Sequence, residues 1–413
     1  MLAVAETSRR PLTICAVGSS RSTHVVARVQ CFARRGHRVY LITEAQVGIE
    51  GVTELVPSED EVGVLRLVNA AFRRRLPASR LLALLLSIPR LIRQCKPDIV
   101  HVHFAYSMWA WMAVVAGHHP LVVSVMGGDI LFEEQGSPTR RGKWLTVQLL
   151  RQADVITSKS EFLVKVLEHL GDFRAKTIKV VWGVDLKLFR RIESAGLRSS
   201  LGLNDRDFVI LSARILQKFY NVHLIVEAMP RIIAACPRAR LVITEYAADR
   251  EYKREIEQRV KELRLDDVVV FVGQIPHAEM PRYYSLADVS VGVPSSDGLP
   301  QTLLEAMACG VPNVLSRLRR YEELISHEES GYFVDISPEA IAEGVVRLLR
   351  DCDLRTRVAE RGLEIVTSAA NFDREVDRVE AMYYDLLSTR RSRTGAVTRA
   401  RVLQEVVRYW VES

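Results

Sequence analysis

Two acidic residues eight positions apart, Asp297 and Glu305, lie in the stretch Pro294-Ser-Ser-Asp-Gly-Leu-Pro-Gln-Thr-Leu-Leu-Glu-Ala-Met-Ala-Cys-Gly-Val-Pro312. An apolar strand ends at Val293, Gly298 and Pro300 turn the chain, and a helix from about Gln301 to Cys309 is closed by Gly310 and Pro312. A strand, loop and helix in this order aim backbone N–H groups and the positive end of a helix dipole at whatever lies above the sheet edge, which suits a phosphate. A carboxylate on that helix can accept two hydroxyl hydrogen bonds at once, as a ribose diol would offer.

Three further polar positions fall where ligands of open α/β sheets bind. The turn Gly18-Ser-Ser-Arg-Ser-Thr23 follows the first strand and carries one glycine, so it is not the G-x-G-x-x-G of a dehydrogenase. Its hydroxyls and amides, Ser19 among them, fit either part of an anionic ligand or an ordinary capped turn. His103 and Asp129 follow two later strands of the same half as polar groups at the sheet's carboxyl edge, and His103, at a strand end, reads either as an active-site residue or as a structural group.

The elements that must hold these residues alternate between short apolar strands and helices. Strands are expected at Leu12 to Gly18, Val39 to Thr43, Asp98 to Val102, Leu121 to Val125, Ala153 to Thr157 and Lys179 to Val181. The pattern restarts with Phe208 to Ser212, a helix over Asn221 to Ala235, Ala239 to Thr244, a charged helix over Arg250 to Leu263, Val268 to Val272 and Val289 to Val293. This alternation predicts two consecutive parallel sheets covered on both faces, α/β throughout. The boundary falls between about Asp185 and Asp207, giving domains at 1–190 and 191–375, with 376–413 as a crossover helix and an Arg-rich, loop-like tail.

The 413 residues are 48% hydrophobic and 26% charged, a soluble globular composition with room for two cores. The net charge of +7 is uneven: +11 through Arg191 and −4 beyond it. A basic first half calls for an anionic partner, whether phosphate, nucleic acid or a lipid surface. Between Val62 and Pro97 no acidic residue occurs, while Arg66, Arg73, Arg74, Arg75, Arg80, Arg90, Arg93 and Lys96 interleave with leucines. Segment 62–97 therefore reads either as a basic amphipathic surface for an anionic membrane or as a helix whose leucines pack on the first sheet. Its lack of aromatic residues beyond Phe72 argues against nucleic acid. Six scattered cysteines without C-x-x-C, and no clustered histidines, suggest neither a metal site nor a disulfide framework. Residues 1–11 lack a secretory apolar core, so the expected location is cytoplasmic. The uncharged stretch from Phe104 to Met126 is broken at His118-His119-Pro120 into a helix and a buried strand rather than a span.

The 294–312 segment resembles the E-x7-E motif of the retaining family-4 glycosyltransferases of GT-B fold, with Asp297 at the first acidic position and Glu305 at the second. Gln274 to Val289 resembles the stretch before that motif, and Ser330-Gly-Tyr-Phe-Val334 the one after it. Trp182-Gly-Val-Asp-Leu-Lys-Leu-Phe189 resembles the family's N-G-V-D-x-x-x-F signature with Trp182 in place of Asn. The resemblance implies two Rossmann-like domains facing an interdomain cleft. It implies that Glu305 binds the ribose of a nucleotide-sugar donor, and that Asp297 with the backbone of Gly298, Leu299, Pro300 and Gln301 contacts the donor sugar.

Such enzymes hold the diphosphate with a basic pair after the second domain's first strand, here Arg214 and Lys218. The pair is spaced by four rather than five, and Phe219-Tyr-Asn221 replaces the usual Gly after the lysine. Many members carry a His where this chain has Met126, leaving His103 and Asp129 on the acceptor side. No cofactor and no metal are required, because cationic side chains and a helix end can stabilise the leaving diphosphate. The expected function is transfer of a sugar, with retention, to a glycan or lipid-linked acceptor in envelope or extracellular polysaccharide synthesis. The alternative is a catalytically silent relative that binds a nucleotide or glycan as the partner of another transferase.

Overall fold

In the computed structural model, the structure describes residues 10–57, 77–132, 138–245, 248–388 and 395–412. The chain divides into two compact units, one formed by Met1–Val180 with Val376–Ser413 and the other by Val181–Glu375. Residues 181–190 thus belong to the second unit, and the 376–413 segment to the first.

The first unit begins with strands β1 (Thr13–Val17), β2 (Arg38–Ile42), β3 (Val52–Leu55), β4 (Ile99–His103), β5 (Leu121–Val125), β6 (Val155–Ser158) and β7 (Thr177–Lys179). They form a parallel sheet in the order β3-β2-β1-β4-β5-β6-β7. Every residue of β4 and β5 is buried, as a strand covered on both faces requires. Helices α1 (Thr23–Arg34), α2 (Pro77–Cys95), α3 (Met108–Ala116), α4 (Arg140–Gln152) and α5 (Glu161–Leu170) provide the cover. Helix α3 is apolar all round, and Gly117, at φ +66, ends it ahead of β5, so the uncharged stretch is a core helix and a core strand. Among the described residues no helix is long and apolar enough to cross a membrane.

Of the basic segment 62–97, residues 62–76 lie outside the described residues. In α2, Leu85, Ile88, Leu91 and Ile92 are buried in the first core, while Arg90, Arg93 and Lys96 are exposed. Leu85 and Leu91 thus pack on their own domain.

The second unit contains β8 (Phe208–Ser212), β9 (Ala239–Ile243), β10 (Val269–Phe271), β11 (Val289–Gly292), β12 (Asn313–Ser316) and β13 (Tyr332–Val334). These are again parallel, in the order β10-β9-β8-β11-β12-β13. Its helices are α6 (Ala195–Ser200), α7 (Val222–Ala235), α8 (Arg250–Glu262), α9 (Met280–Leu286), α10 (Gln301–Ala308), α11 (Pro338–Arg350) and α12 (Cys352–Ala369). Two apolar clusters lie in this unit, one built on α7, α8 and α11, the other on α9 and α10.

The Trp182 to Phe189 signature is a clasp within this second unit. Val184 donates its N–H to the Ala370 carbonyl at 2.8 Å and accepts from the Phe372 N–H at 3.1 Å. A Cβ on Gly183 would stand 1.9 Å from the Ala370 carbonyl oxygen, so only glycine allows this approach.

Helix α13 (Phe372–Ser388) leads back to the first unit, where α14 (Ala396–Glu412) packs on α3 and α4. The Arg-rich tail is therefore helical from Ala396 onward rather than loop-like. Val402 and Val406, four apart, enter the first core, and Arg401 lies over the Trp144 ring at 5.1 Å.

Candidate active site

In the second sheet the strand order turns outward in both directions from the β8–β11 pair, and the loops leaving these two strands carry the polar residues that resemblance singled out. Arg214 follows β8. Gly292 ends β11, and a Cβ there would already touch the Arg214 stem at 3.4 Å, so the arginine lies close across the strand end. Arg214 Nη2 donates to Asp297 Oδ2 at 2.6 Å, and Nη1 donates to Thr302 Oγ1 at 3.0 Å in the first turn of α10. The side chains of the pair are 10% and 17% exposed. Burial acts against the guanidinium charge, and Asp297 more than offsets it, so Arg214 stays charged.

The loop that carries Asp297 is pinned residue by residue. Asn221 Nδ2 donates to the Val293 carbonyl at 2.9 Å and to Ser295 Oγ at 3.0 Å. Ser316 Oγ donates to the Pro294 carbonyl at 2.8 Å, Arg320 Nη2 to Ser296 Oγ at 3.0 Å, and Tyr321 OH to Asp297 Oδ2 at 3.2 Å. The stretch Phe219-Tyr-Asn221 now has a physical account. Asn221 takes the left-handed conformation, at φ 53, that short polar residues tolerate. Tyr220 places its ring 4.4 Å from the Arg214 guanidinium.

Gly298 is partly exposed in the turn, and Leu299 is buried in the second apolar cluster. No side chain caps α10, because Pro300 occupies the cap position. Gln301 Nε2 donates to the Gly183 carbonyl at 3.0 Å, tying the helix start to the signature clasp. Glu305 lies one turn further and is 3% exposed. Its Oε2 accepts from the fully buried Tyr284 hydroxyl at 3.0 Å, and its Oε1 from His277 Nε2 at 2.7 Å. Burial opposes a charged His277, but Glu305 and, further off, Asp185 overcome it and raise the imidazole above its ordinary value. Lys218 is not brought to this cluster. Its side chain is 72% exposed and pairs with Glu255 at 3.1 Å.

At the carboxyl edge of the first sheet, Ser19 Oγ donates to Glu44 at 2.5 Å and accepts from the Arg21 N–H. His103 is buried beside the equally buried Arg28, Nδ1 to Nη1 at 3.3 Å, and its ring lies 4.1 Å from that of His101. Burial, with His101 and Arg28 nearby, drives its basicity well down, so it is neutral. Asp129 is fully buried and accepts the backbone N–H groups of Ala105 at 2.7 Å and of Met126 and Gly127 at 2.9 Å. It fastens the loop after β4 to the loop after β5. Among the described residues no group of three or more His, Cys, Asp or Glu side chains could hold a metal ion.

Sequence reading missed Tyr220, His277, Tyr284, Arg320 and Tyr321. His277 and Tyr284 sit in the stretch that resembles the one before the acidic motif, a signal that was present. Tyr321 stands 24 residues from its partner across a strand, where no local pattern could reveal it.

Comparison with known proteins agrees with this arrangement. Residues 194–364 match the model for glycosyl transferases group 1, and residues 22–188 match that for glycosyltransferase family 4. An uncharacterized glycosyltransferase of Methanocaldococcus jannaschii is 30% identical over 297 residues, 67% of this chain and 73% of that protein. The N-acetyl-alpha-D-glucosaminyl L-malate synthase of Bacillus anthracis is 25% identical over 70% of this chain and 75% of its own. Among solved structures, Anabaena HepE in complex with UDP and glucose superposes with a TM-score of 0.76 at 17% identity, covering 91% of this chain and all of that one. The chain belongs to the group 1, family 4 glycosyltransferases of GT-B fold.

Proposed function

We propose that the chain transfers a sugar from a nucleoside-diphosphate sugar to a hydroxyl of a glycan or lipid-linked acceptor, with retention at the anomeric carbon. The observation that carries this reading is the placement of Arg214, Asp297, the uncapped start of α10 and buried Glu305 on one strand-loop-helix edge. The helix start and Arg214 suit the diphosphate, whose charge grows as the glycosidic bond breaks. Glu305, with both oxygens oriented by Tyr284 and His277, suits the ribose diol. Asp297, held in an ion pair, is a poor nucleophile and a better hydrogen-bond acceptor for a sugar hydroxyl. A front-face displacement fits these roles: the leaving diphosphate takes the proton of the incoming acceptor hydroxyl, and no side-chain base is used.

The Anabaena structure is a complex with UDP and glucose and the Bacillus anthracis relative is an N-acetyl-alpha-D-glucosaminyl L-malate synthase, which supports a UDP-sugar as the first donor to try. Synthesis of envelope or extracellular polysaccharide is the proposed setting. The exposed Arg90, Arg93 and Lys96 support peripheral contact of the 62–97 segment with an anionic inner membrane face. Failure to co-sediment with anionic vesicles at low salt removes that part of the proposal.

The decisive experiment is thermal stabilisation by UDP, GDP, ADP and CMP, on the wild type and on Glu305→Ala. A nucleotide present at 100 times its Kd stabilises the native state by about 2.7 kcal/mol. One nucleotide is expected to raise Tm, and Glu305→Ala to abolish the rise. No rise with any nucleotide at millimolar concentration sinks the reading. The outward pairing of Lys218 with Glu255 favours one second reading, a catalytically silent relative, which binds a nucleotide yet neither hydrolyses nor transfers from its sugar derivative.

A further inference from the structure

Between β8 and α7, Lys218, Phe219 and Tyr220 form a single tight helical turn that ends at the left-handed Asn221. The backbone is fastened on either side of Tyr220. The Phe219 carbonyl accepts from the Ser295 N–H at 3.2 Å, and Asn221 Nδ2 donates to the Val293 carbonyl and to Ser295 Oγ. Lys218, at the start of the turn, pairs with Glu255 in solvent, whereas Tyr220 is half-buried with its ring centre 4.4 Å from the Arg214 guanidinium. Phe219 meets that ring edge-on, with 5.4 Å between centres and 89° between planes, which restricts its swing.

The contact completes the restraint of one planar group. Arg214 Nη1 gives an N–H to Thr302 and Nη2 gives one to Asp297, so each terminal nitrogen keeps a second N–H for another acceptor. Those two bonds hold the outer end of the fork but not the tilt of its plane, and buried Nε has no partner among the described residues to hold the stem end. An aromatic ring 4.4 Å away sets the tilt and leaves no room for water on that face. Burial pushes the Tyr220 phenol up, so the ring stays neutral and does not compete with Asp297 for the guanidinium. Arginine grips phosphate oxygens through paired N–H groups in a fixed geometry, so whatever fixes the plane also sets the grip. We propose that Tyr220 is a positioning residue for the leaving diphosphate, its ring holding the Arg214 guanidinium so that the two remaining N–H groups meet phosphate oxygens without help from Lys218. The inference rests on the donor reading of this edge.

Calorimetry on the full chain tests this with UDP, GDP and ADP, each beside its monophosphate UMP, GMP or AMP. The ratio of diphosphate to monophosphate affinity isolates the hold on the added phosphate. Wild type is compared with Tyr220→Phe, which keeps the ring, with Tyr220→Leu, which keeps apolar bulk, and with Lys218→Ala. The ratio is expected to fall about five-fold in Tyr220→Leu, as loss of one cation–π contact implies, and to stay within about two-fold in Tyr220→Phe and Lys218→Ala. Monophosphate affinity should be the same in all four proteins. An unchanged ratio in Tyr220→Leu overturns the proposal, and so does an equal fall in Lys218→Ala. Loss of monophosphate affinity along with diphosphate affinity in Tyr220→Leu also overturns it, by assigning the ring to stability alone. Absence of any diphosphate binding by the wild type removes the donor reading and this inference with it, whereas binding with a ratio indifferent to Tyr220 removes this inference only.

Discussion

Arg214 and Asp297 hold each other in a mostly buried pair, so the two cannot be tested independently. Asp297→Ala strands a buried guanidinium, and a loss of about 3 kcal/mol in unfolding free energy is expected by denaturant titration. Asp297→Asn keeps an acceptor for Arg214 and Tyr321 and should retain most of that stability. Arg214→Met removes the cation proposed to stabilise the leaving group and should lower kcat by about 10²–10³ in a donor-turnover assay. His277 behaves differently because protons are linked to it. Its basicity is raised in the folded state, so its stabilising effect is full below the unfolded histidine value of about 6.5 and disappears as pH rises through the higher folded value. The Tm difference between wild type and His277→Gln should therefore be larger at acidic than at alkaline pH, and a difference that grows with pH contradicts the assignment. At this scale Asp297, Glu305 and Arg214 were legible in the sequence because motif and turn residues travel together. Tyr220 and Tyr321 were not, since their partnership with Arg214 and Asp297 exists only once β8, β11 and β12 lie side by side.

Strands and helices were legible wherever burial imposed a period. β5 and β8 lie where their apolar runs place them, because a strand covered on both faces is a near-continuous apolar run interrupted here only by the small Ser124 and Ser212. The edge strand β3 is only four residues, with Thr53 and Glu54 side by side between Val52 and Leu55, so no alternation is present to register. The start of α14 misled in the opposite way. Arg399 and Arg401 made the segment read as loop, although Val402, Val406 and Tyr409 mark one helical face. The clasp at Gly183 gives a sharp prediction for elements. Gly183→Ala drives a methyl group into the backbone of Ala370, and unfolding free energy should fall by about 3 kcal/mol in equilibrium urea titration. Gly196→Ala, with open space around its Cβ, is the matched control and should change little.

Across the whole chain, charge and architecture divide in the same place. The basic half lies almost entirely in the first unit, while the residues suited to the donor nucleotide lie in the second. Val406→Asp places a carboxylate in the core of the first unit and should destabilise that unit by about 3 kcal/mol. UDP affinity measured by calorimetry well below the melting range should remain within about two-fold, a 0.4 kcal/mol change.

The first unit is built from two stretches of chain separated by the 195 residues of Val181–Glu375. On the ribosome, at about 5–20 residues per second, α3 and α4 wait on the order of 10–60 s for the helix that will cover them. During that interval the face that later receives Val402 and Val406 is exposed apolar surface, and the second unit has time to finish first. The order of synthesis therefore makes the second unit the early folder, and leaves the first unit with an exposed core face until translation of α14 is complete.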